Sequence, residues 1–128
     1  VADLSKAVVA LVSTGGIVAK GNPQRLETTR CTKWVKYDIS GKDRLSPEEY
    51  QCIHGGYENT FANEDPNRVA PVDALRAFEK KGIIGKLYDG FYAYCGAMAV
   101  LDVAKRVAAE MIEDMRINGI DAVILTST

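Results

Sequence analysis

The sequence predicts an α/β fold: an open, mostly parallel sheet with helices on its faces, Rossmann-like and incomplete at its C-terminus. Three observations carry that expectation. Residues 6–13, Lys-Ala-Val-Val-Ala-Leu-Val-Ser, form a β-branched apolar run without polar alternation, the pattern of a strand buried on both faces of a parallel sheet. Residues 121–128, Asp-Ala-Val-Ile-Leu-Thr-Ser-Thr, have the same buried, parallel character at the other end of the chain. Between them, residues 97–117 place Val100, Ala104, Val107, Met111 and Met115 on one face and Asp102, Lys105, Glu110 and Glu113 on the other, a long amphipathic helix feeding the last strand. Strand, mixed region, helix and strand in this order make a right-handed unit, with the strand near residue 9 beside the strand near residue 124.

Each element follows from local chemistry. After the first strand, Thr14-Gly-Gly16 supplies a tight turn. Residues 17–30 hold glycine, Asn22-Pro23 and scattered charge, and read as loop with one helical turn. Residues 34–39 alternate large apolar with polar side chains, a second and more exposed strand that Gly41 closes. Ser46-Pro47-Glu48-Glu49 combines an N-cap hydroxyl, a proline at the first helical position and a glutamate three residues after the cap. That capping box predicts a short helix through Tyr50 and Cys52. His54-Gly-Gly-Tyr57 breaks it, and residues 58–68, with Asn59, Asn63, Asp65-Pro66 and Asn67, read as a long loop. A long structured loop with a histidine beside two glycines leans toward function. Residues 71–81 form a helix with Val72, Leu75 and Phe78 on one face, lysines in the last turn and Gly82 as its stop. Residues 83–94 read as a turn, a short strand and a crossing segment; their Tyr88, Phe91, Tyr92 and Tyr94 make either core or an interface patch, with core favoured. Gly119 caps the long helix.

A length of 128 residues fits one domain, 1–128, able to bury a core without disulfides or metals. Sixteen basic against 17 acidic side chains leave no basic stripe to track phosphates, so nucleic acid is not an expected partner. No apolar run approaches the roughly 20 residues of a spanning helix, and the amino end lacks the build of a secretory signal, so no membrane role is expected and the expected compartment is the cytoplasm. Cys31, Cys52 and Cys95 are odd in number and widely spaced, which argues for reduced thiols and against a disulfide framework. A single Cys52-x-His54 pair without companions assigns no metal.

Ligands of open α/β sheets gather beyond the carboxyl ends of parallel strands, here Ser13-Thr-Gly-Gly16 and Thr126-Ser-Thr128. Both are small and polar, as a crevice close to the backbone needs; on the residues alone, the plainer reading of tight turns leaving strands is favoured. The glycines lack the full Gly-x-Gly-x-x-Gly pattern and the Walker ending, so nucleotide binding has little support. A non-catalytic domain that binds an anion at a helix start, or only docks other subunits, is the alternative from a different class.

Taken together, Ala10-Leu-Val-Ser-Thr-Gly-Gly-Ile17, His54-Gly-Gly-Tyr57, the segment from Asn63 to Leu75, Ile84-Gly-Lys86 and Asp121-Ala-Val-Ile-Leu-Thr-Ser-Thr128 resemble the selenoprotein subunit of component B of the glycine, sarcosine and betaine reductases. The resemblance covers nearly the whole chain. In that family, the segment like Val-Ile-Leu-Thr-Ser-Thr is followed at once by selenocysteine, then Gly-Thr-Cys, and members carry further sequence at both ends. The resemblance thus implies an internal fragment that stops before a selenocysteine, whose codon is otherwise read as stop. The D-proline reductase selenoprotein subunit shares the histidine, paired glycines, tyrosine and last strand. It matches less well at Ser-Thr-Gly-Gly and after Asn63, and stands second.

The resemblance implies reductive cleavage of the C–N bond of glycine or an N-methylated glycine, feeding acetyl phosphate formation. Such chemistry needs a nucleophile ionised at neutral pH, which selenium provides more readily than a thiol. No cofactor is expected in this chain. A pyruvoyl-type carbonyl is expected on partner component B subunits, where it holds an amino substrate as a Schiff base, a step impossible for betaine, a quaternary amine. A small carrier selenoprotein takes the two-carbon unit, and an acetyl-phosphate-forming component releases it. The chain alone is expected to be inactive, lacking both the selenium nucleophile and the partner carbonyl.

Among candidate residues, His54 is the single histidine, suited to protonating the departing amine or stabilising a selenolate. Fixing the Gly55-Gly56 turn is its structural alternative, and the resemblance tips the balance toward function. Thr14, Gly15, Gly16, Gly55, Gly56, Thr126 and Ser127 are candidate substrate-binding positions. Asn63 and Arg68 are candidates for orienting a carboxylate, the guanidinium by a bidentate pair, although Arg68 equally suits solvent. Asp65 and Asn67 read as turn formers. Cys95 lies where a helix dipole would favour a thiolate, yet the family has a Gly-Asn-Gly-like stretch where this chain has Cys95-Gly-Ala97. We read it as a buried free thiol.

Overall fold

The apolar run near the amino end becomes the strand around which the sheet is built. In a computed structural model that describes residues 3–128, the strands are β1 (Val8–Ser13), β2 (Ile17–Ala19), β3 (Val35–Asp38), β4 (Tyr50–Cys52), β5 (Lys86–Ala93) and β6 (Ala122–Thr126). The helices are α1 (Thr60–Glu64), α2 (Val72–Lys80) and α3 (Leu101–Ile117). β1 lies between β5 and β6 and parallel to both, while β3 borders β5 in the antiparallel sense, giving the order β3-β5-β1-β6. β2 and β4 form a separate antiparallel pair. The expected mostly parallel sheet is therefore present, and so is the pairing of first and last strands, with Val9 opposite Ala122 and Ser13 opposite Thr126. Three parallel strands beside an antiparallel one do not establish the expected Rossmann-like order.

Alternation along the strands divides the core into two layers. On one face, the Tyr92 hydroxyl donates to Asp114 of α3, which Lys36 of β3 also reaches. Trp34 stacks on Tyr92 at 5.6 Å and sends its indole N–H to Glu110. Val107, Met111 and Met115 are the buried side of α3. On the other face, Leu11, Phe91 and Tyr37 share one register row, and Tyr37 meets Tyr50 of β4 edge-on at 5.9 Å. α2 buries Val72, Leu75 and Arg76. The Arg76 guanidinium donates to the carbonyls of Ile39, Lys42 and Leu87 and pairs with Glu79 and Asp89, tying α2 to β5 and to the loop after β3.

Several sequence expectations are corrected. The segment after Gly16 opens with β2, not loop, because Ile17 and Val18 are fully buried against Cys52 and Gln51. The helix expected through Tyr50 and Cys52 is β4. Ser46 does accept the Glu48 N–H, but Glu49, which a capping box sends back to its cap, pairs with Lys42 instead. The polar stretch 58–68 contains α1 and a 3-10 turn, Pro66–Arg68, opened by the Asp65 carboxylate accepting the Asn67 N–H. Residues 83–94 contain the eight-residue β5. Its pattern is obscured because Val9 and Leu11 of β1 face Leu87 and Phe91, so extra residues bulge out around Gly90. α3 starts at Leu101 and leaves Val100 exposed, and Phe78 is 41% exposed because Arg76 takes the inner position on α2. β6 is parallel and borders the sheet of these 128 residues, with Val123 and Leu125 exposed, so within them it is not the buried strand that was expected. The aromatic cluster is core: Phe91, Tyr92 and Tyr94 are buried. Among the described residues no helix is long and apolar enough to cross a membrane, and no cluster of His, Cys, Asp and Glu could hold a metal ion.

Candidate active site

The carboxyl ends of β5, β1 and β6 are laced together by backbone and hydroxyl hydrogen bonds. Thr14 donates to the Thr126 carbonyl from its N–H at 2.9 Å and from its hydroxyl at 3.3 Å. On the other side, Gly96 N–H reaches the Thr14 carbonyl at 2.8 Å, and Gly16 N–H reaches the Tyr94 carbonyl at 3.1 Å. Gly15 sits where other chain segments crowd in: a Cβ there would collide with Val69 and lie 3.3 Å from Ser13 Oγ and from Thr128 Cγ2. Gly16 has φ +72°, the left-handed region that favours glycine, and its Cβ position is 2.9 Å from the Cβ and N of His54. The exit of β1 therefore touches Thr128 on one side and the histidine on the other.

Strand pairing delivers that histidine. β4 runs beside β2, and the Ile53 N–H donates to the Gly16 carbonyl at 2.9 Å, so His54 emerges next to the β1 turn. Gly55 N–H donates to the Thr28 carbonyl at 2.8 Å, and Gly56 N–H donates to His54 Nδ1 at 3.1 Å. An Nδ1 that accepts leaves the proton of the neutral ring on Nε2. His54 is 8% exposed, and its Nε2 has no hydrogen-bond partner among the described residues. Burial lowers the pKa of the imidazole below its usual 6.5 and keeps it neutral at pH 7.

Tyr57 packs its ring against the imidazole, with centroids 4.8 Å apart. Its hydroxyl donates to the Gly15 carbonyl at 3.1 Å, and its oxygen lies 3.0 Å from the Cys52 thiol. Burial first, and the contact with Cys52 second, push the phenol well above its ordinary range, so it stays protonated.

The expected site residues thus separate into two groups. Thr14, Gly15, Gly16, His54, Gly55, Gly56 and Thr126 converge on one edge, and the exposed Ser127 adjoins them. Asn63 and Arg68 have other partners: Asn63 Oδ1 accepts the Cys52 N–H at 2.8 Å, and Arg68 folds back onto Glu64, the Phe61 carbonyl and the Phe61 ring. Asn67 is buried and bonds both backbone groups of Leu45, while Asp65 pairs with Arg44, as turn formers would. Cys95 is fully buried, donates to the Thr28 carbonyl at 3.1 Å and has its pKa raised by burial. It also precedes the first residue of α3 by six positions, beyond the reach of that helix dipole. Sequence reasoning gave no role to Tyr57, Val69 or Thr28; the signal available was the tyrosine three residues after His54 in the same motif.

A family model described as glycine/sarcosine/betaine reductase selenoprotein B matches residues 1–128. A glycine reductase complex component B subunit gamma from Peptoclostridium acidaminophilum is 48% identical over 98% of the chain and 29% of its own length. A betaine reductase complex component B subunit beta from the same organism is 44% identical over 98% of the chain and 29% of its own length. More distantly, a D-proline reductase subunit gamma from Acetoanaerobium sticklandii is 28% identical over 98% of the chain and 50% of its own length. The chain spans about 29% of the length of the component B relatives it matches. No solved structure matches.

Proposed function

The chain belongs to the glycine/sarcosine/betaine reductase selenoprotein B family, and from that premise we propose that it forms the redox face of a component B subunit. The reaction we assign is reductive cleavage of the C–N bond of glycine or an N-methylated glycine. The observation that supports this reading best is the junction at Gly15 and Gly16, which has Thr128, just past β6, on one side and the backbone and Cβ of His54 on the other. A selenocysteine directly after Thr128, implied by the family resemblance, would supply a nucleophile ionised at neutral pH. The residues present are compatible with it: the absence of a side chain at Gly15 lets the β1 turn, Val69 and Thr128 come close together, and the hydroxyls of Ser13 and Thr14 lie at the same turn.

The two nitrogens of His54 divide the work. Nδ1 holds the Gly56 N–H and fixes the ring, so the structural and functional readings of this histidine are compatible. Nε2–H is free to donate to an anionic reactant, a role better matched to a neutral imidazole than prior protonation of the departing amine. Thr14, Thr126 and Ser127 offer hydroxyls along the same edge, and Asn63 or Arg68 would reach a substrate carboxylate only by leaving its present partners. A pyruvoyl-type carbonyl on partner subunits, a small carrier selenoprotein and an acetyl-phosphate-forming component complete the proposed system. Three unpaired thiols suit a reducing compartment, and the proposal places the subunit in the cytoplasm.

Amine-dependent turnover of the complete, selenium-containing complex tests this assignment. His54→Gln, which displaces the donor from the position of the ring Nε2, is expected to lower kcat by about 10²-fold, the lower end of the cost of losing one donor aimed at developing charge. Normal turnover in that variant removes the role, and measurable turnover by the 128-residue chain alone contradicts the need for selenium and partners.

A further inference from the structure

His54 has two neighbours that determine where its ring points: the Gly56 N–H on Nδ1, and the Tyr57 ring across its face. The second is itself anchored at a distance, because the Tyr57 hydroxyl donates to the carbonyl of Gly15, 42 residues earlier in the chain. The phenol oxygen also lies 3.0 Å from Cys52 Sγ, and the Cys52 thiol donates to Asn59 Oδ1 at 3.2 Å. One side chain thereby joins the end of β4, the turn after β1 and the imidazole.

We infer that Tyr57 is a positioning residue for His54: its ring walls one face of the imidazole, and its hydroxyl ties that ring to the same Gly15 turn that lies against Thr128. The inference rests on the assignment of His54 to the reaction and extends it to a residue that need not touch substrate. Loss of the hydroxyl frees the tyrosine ring from the turn, and loss of the ring opens the imidazole to water. The groups around His54 are the protonated Tyr57 phenol and, on the adjoining segments, the Cys52 and Cys95 thiols; its pKa is lowered by burial and not by a charged neighbour. Removing the wall therefore moves the imidazole toward its ordinary behaviour.

The test uses the complete subunit in its complex, with His54→Gln as reference. Tyr57→Phe keeps the wall and loses both hydroxyl links; kcat is expected to fall roughly threefold to tenfold, the size of one or two lost hydrogen bonds, with KM and the acidic limb of the pH profile unmoved. Tyr57→Leu is expected to lower kcat further and to shift that limb, together with the His54 titration read by NMR, upward toward the value of a free imidazole. Wild-type kcat and an unmoved limb in Tyr57→Leu overturn the inference while an impaired His54→Gln leaves the role of the histidine standing. Full activity of His54→Gln overturns both. If Tyr57→Leu does not fold, Tyr57→Phe decides alone, and wild-type kcat in it overturns the inference.

Discussion

At the scale of single residues, the proposed site centres on a nearly buried histidine whose Nδ1 is held by the Gly56 N–H. Burial depresses the pKa of His54 from 6.5, so between the lowered value and 6.5 the unfolded chain binds a proton that the folded chain refuses. Stability then rises with pH across that window and is lost as pH falls from 6.5 through the folded value. Denaturant unfolding of the full-length subunit is expected to show this loss on acidification, and His54→Gln is expected to remove this contribution to it; an unchanged pH dependence in the variant contradicts the burial argument. His54, its paired glycines and the Thr14-Gly15-Gly16 turn were legible in the sequence, because histidine and glycine carry distinctive chemistry wherever they stand. Tyr57 was not. Its role requires the Gly15 carbonyl, which the sheet brings to it from 42 residues away.

At the scale of elements, the outcome turned on how much of each signal was local. β1 and α3 carry their own patterns, continuous apolar residues in one and a stripe at helical spacing in the other, and both were read correctly in kind. β6 is parallel, as its apolar run implies, while within these 128 residues Val123 and Leu125 are exposed. β2 and β4 are three residues each and exist through each other, so neither had a period to detect. β5 was obscured by its bulge, and the inward Arg76 was hidden by its charge. That arginine has 10% of its side chain exposed and donates to three carbonyls and two carboxylates. Arg76→Ala leaves those acceptors without their donor and is expected to cost about 3 kcal/mol, as breaking a buried pair does. Urea unfolding of the full-length subunit checks it, and a change under about 0.5 kcal/mol, the range of an ordinary surface substitution, would show that the ties between α2 and β5 are dispensable.

At the scale of the whole molecule, a mostly parallel sheet gathers three strand exits at one edge, and everything proposed about chemistry follows from that convergence. β5 contributes the Tyr94 carbonyl and Gly96, β1 the Thr14-Gly15-Gly16 turn, and β6 the segment Thr126-Ser127-Thr128. The separate pair of β2 and β4 adds His54 from the flank. The proposed function puts the reacting selenium at the exit of β6, beside the β1 turn and the histidine. Mass spectrometry of the native full-length subunit, on the peptide that contains Asp121 to Thr128, decides this position. The selenium isotope pattern is expected on the residue immediately after Thr128, and an ordinary residue at that position, with selenium elsewhere or absent, contradicts the claim.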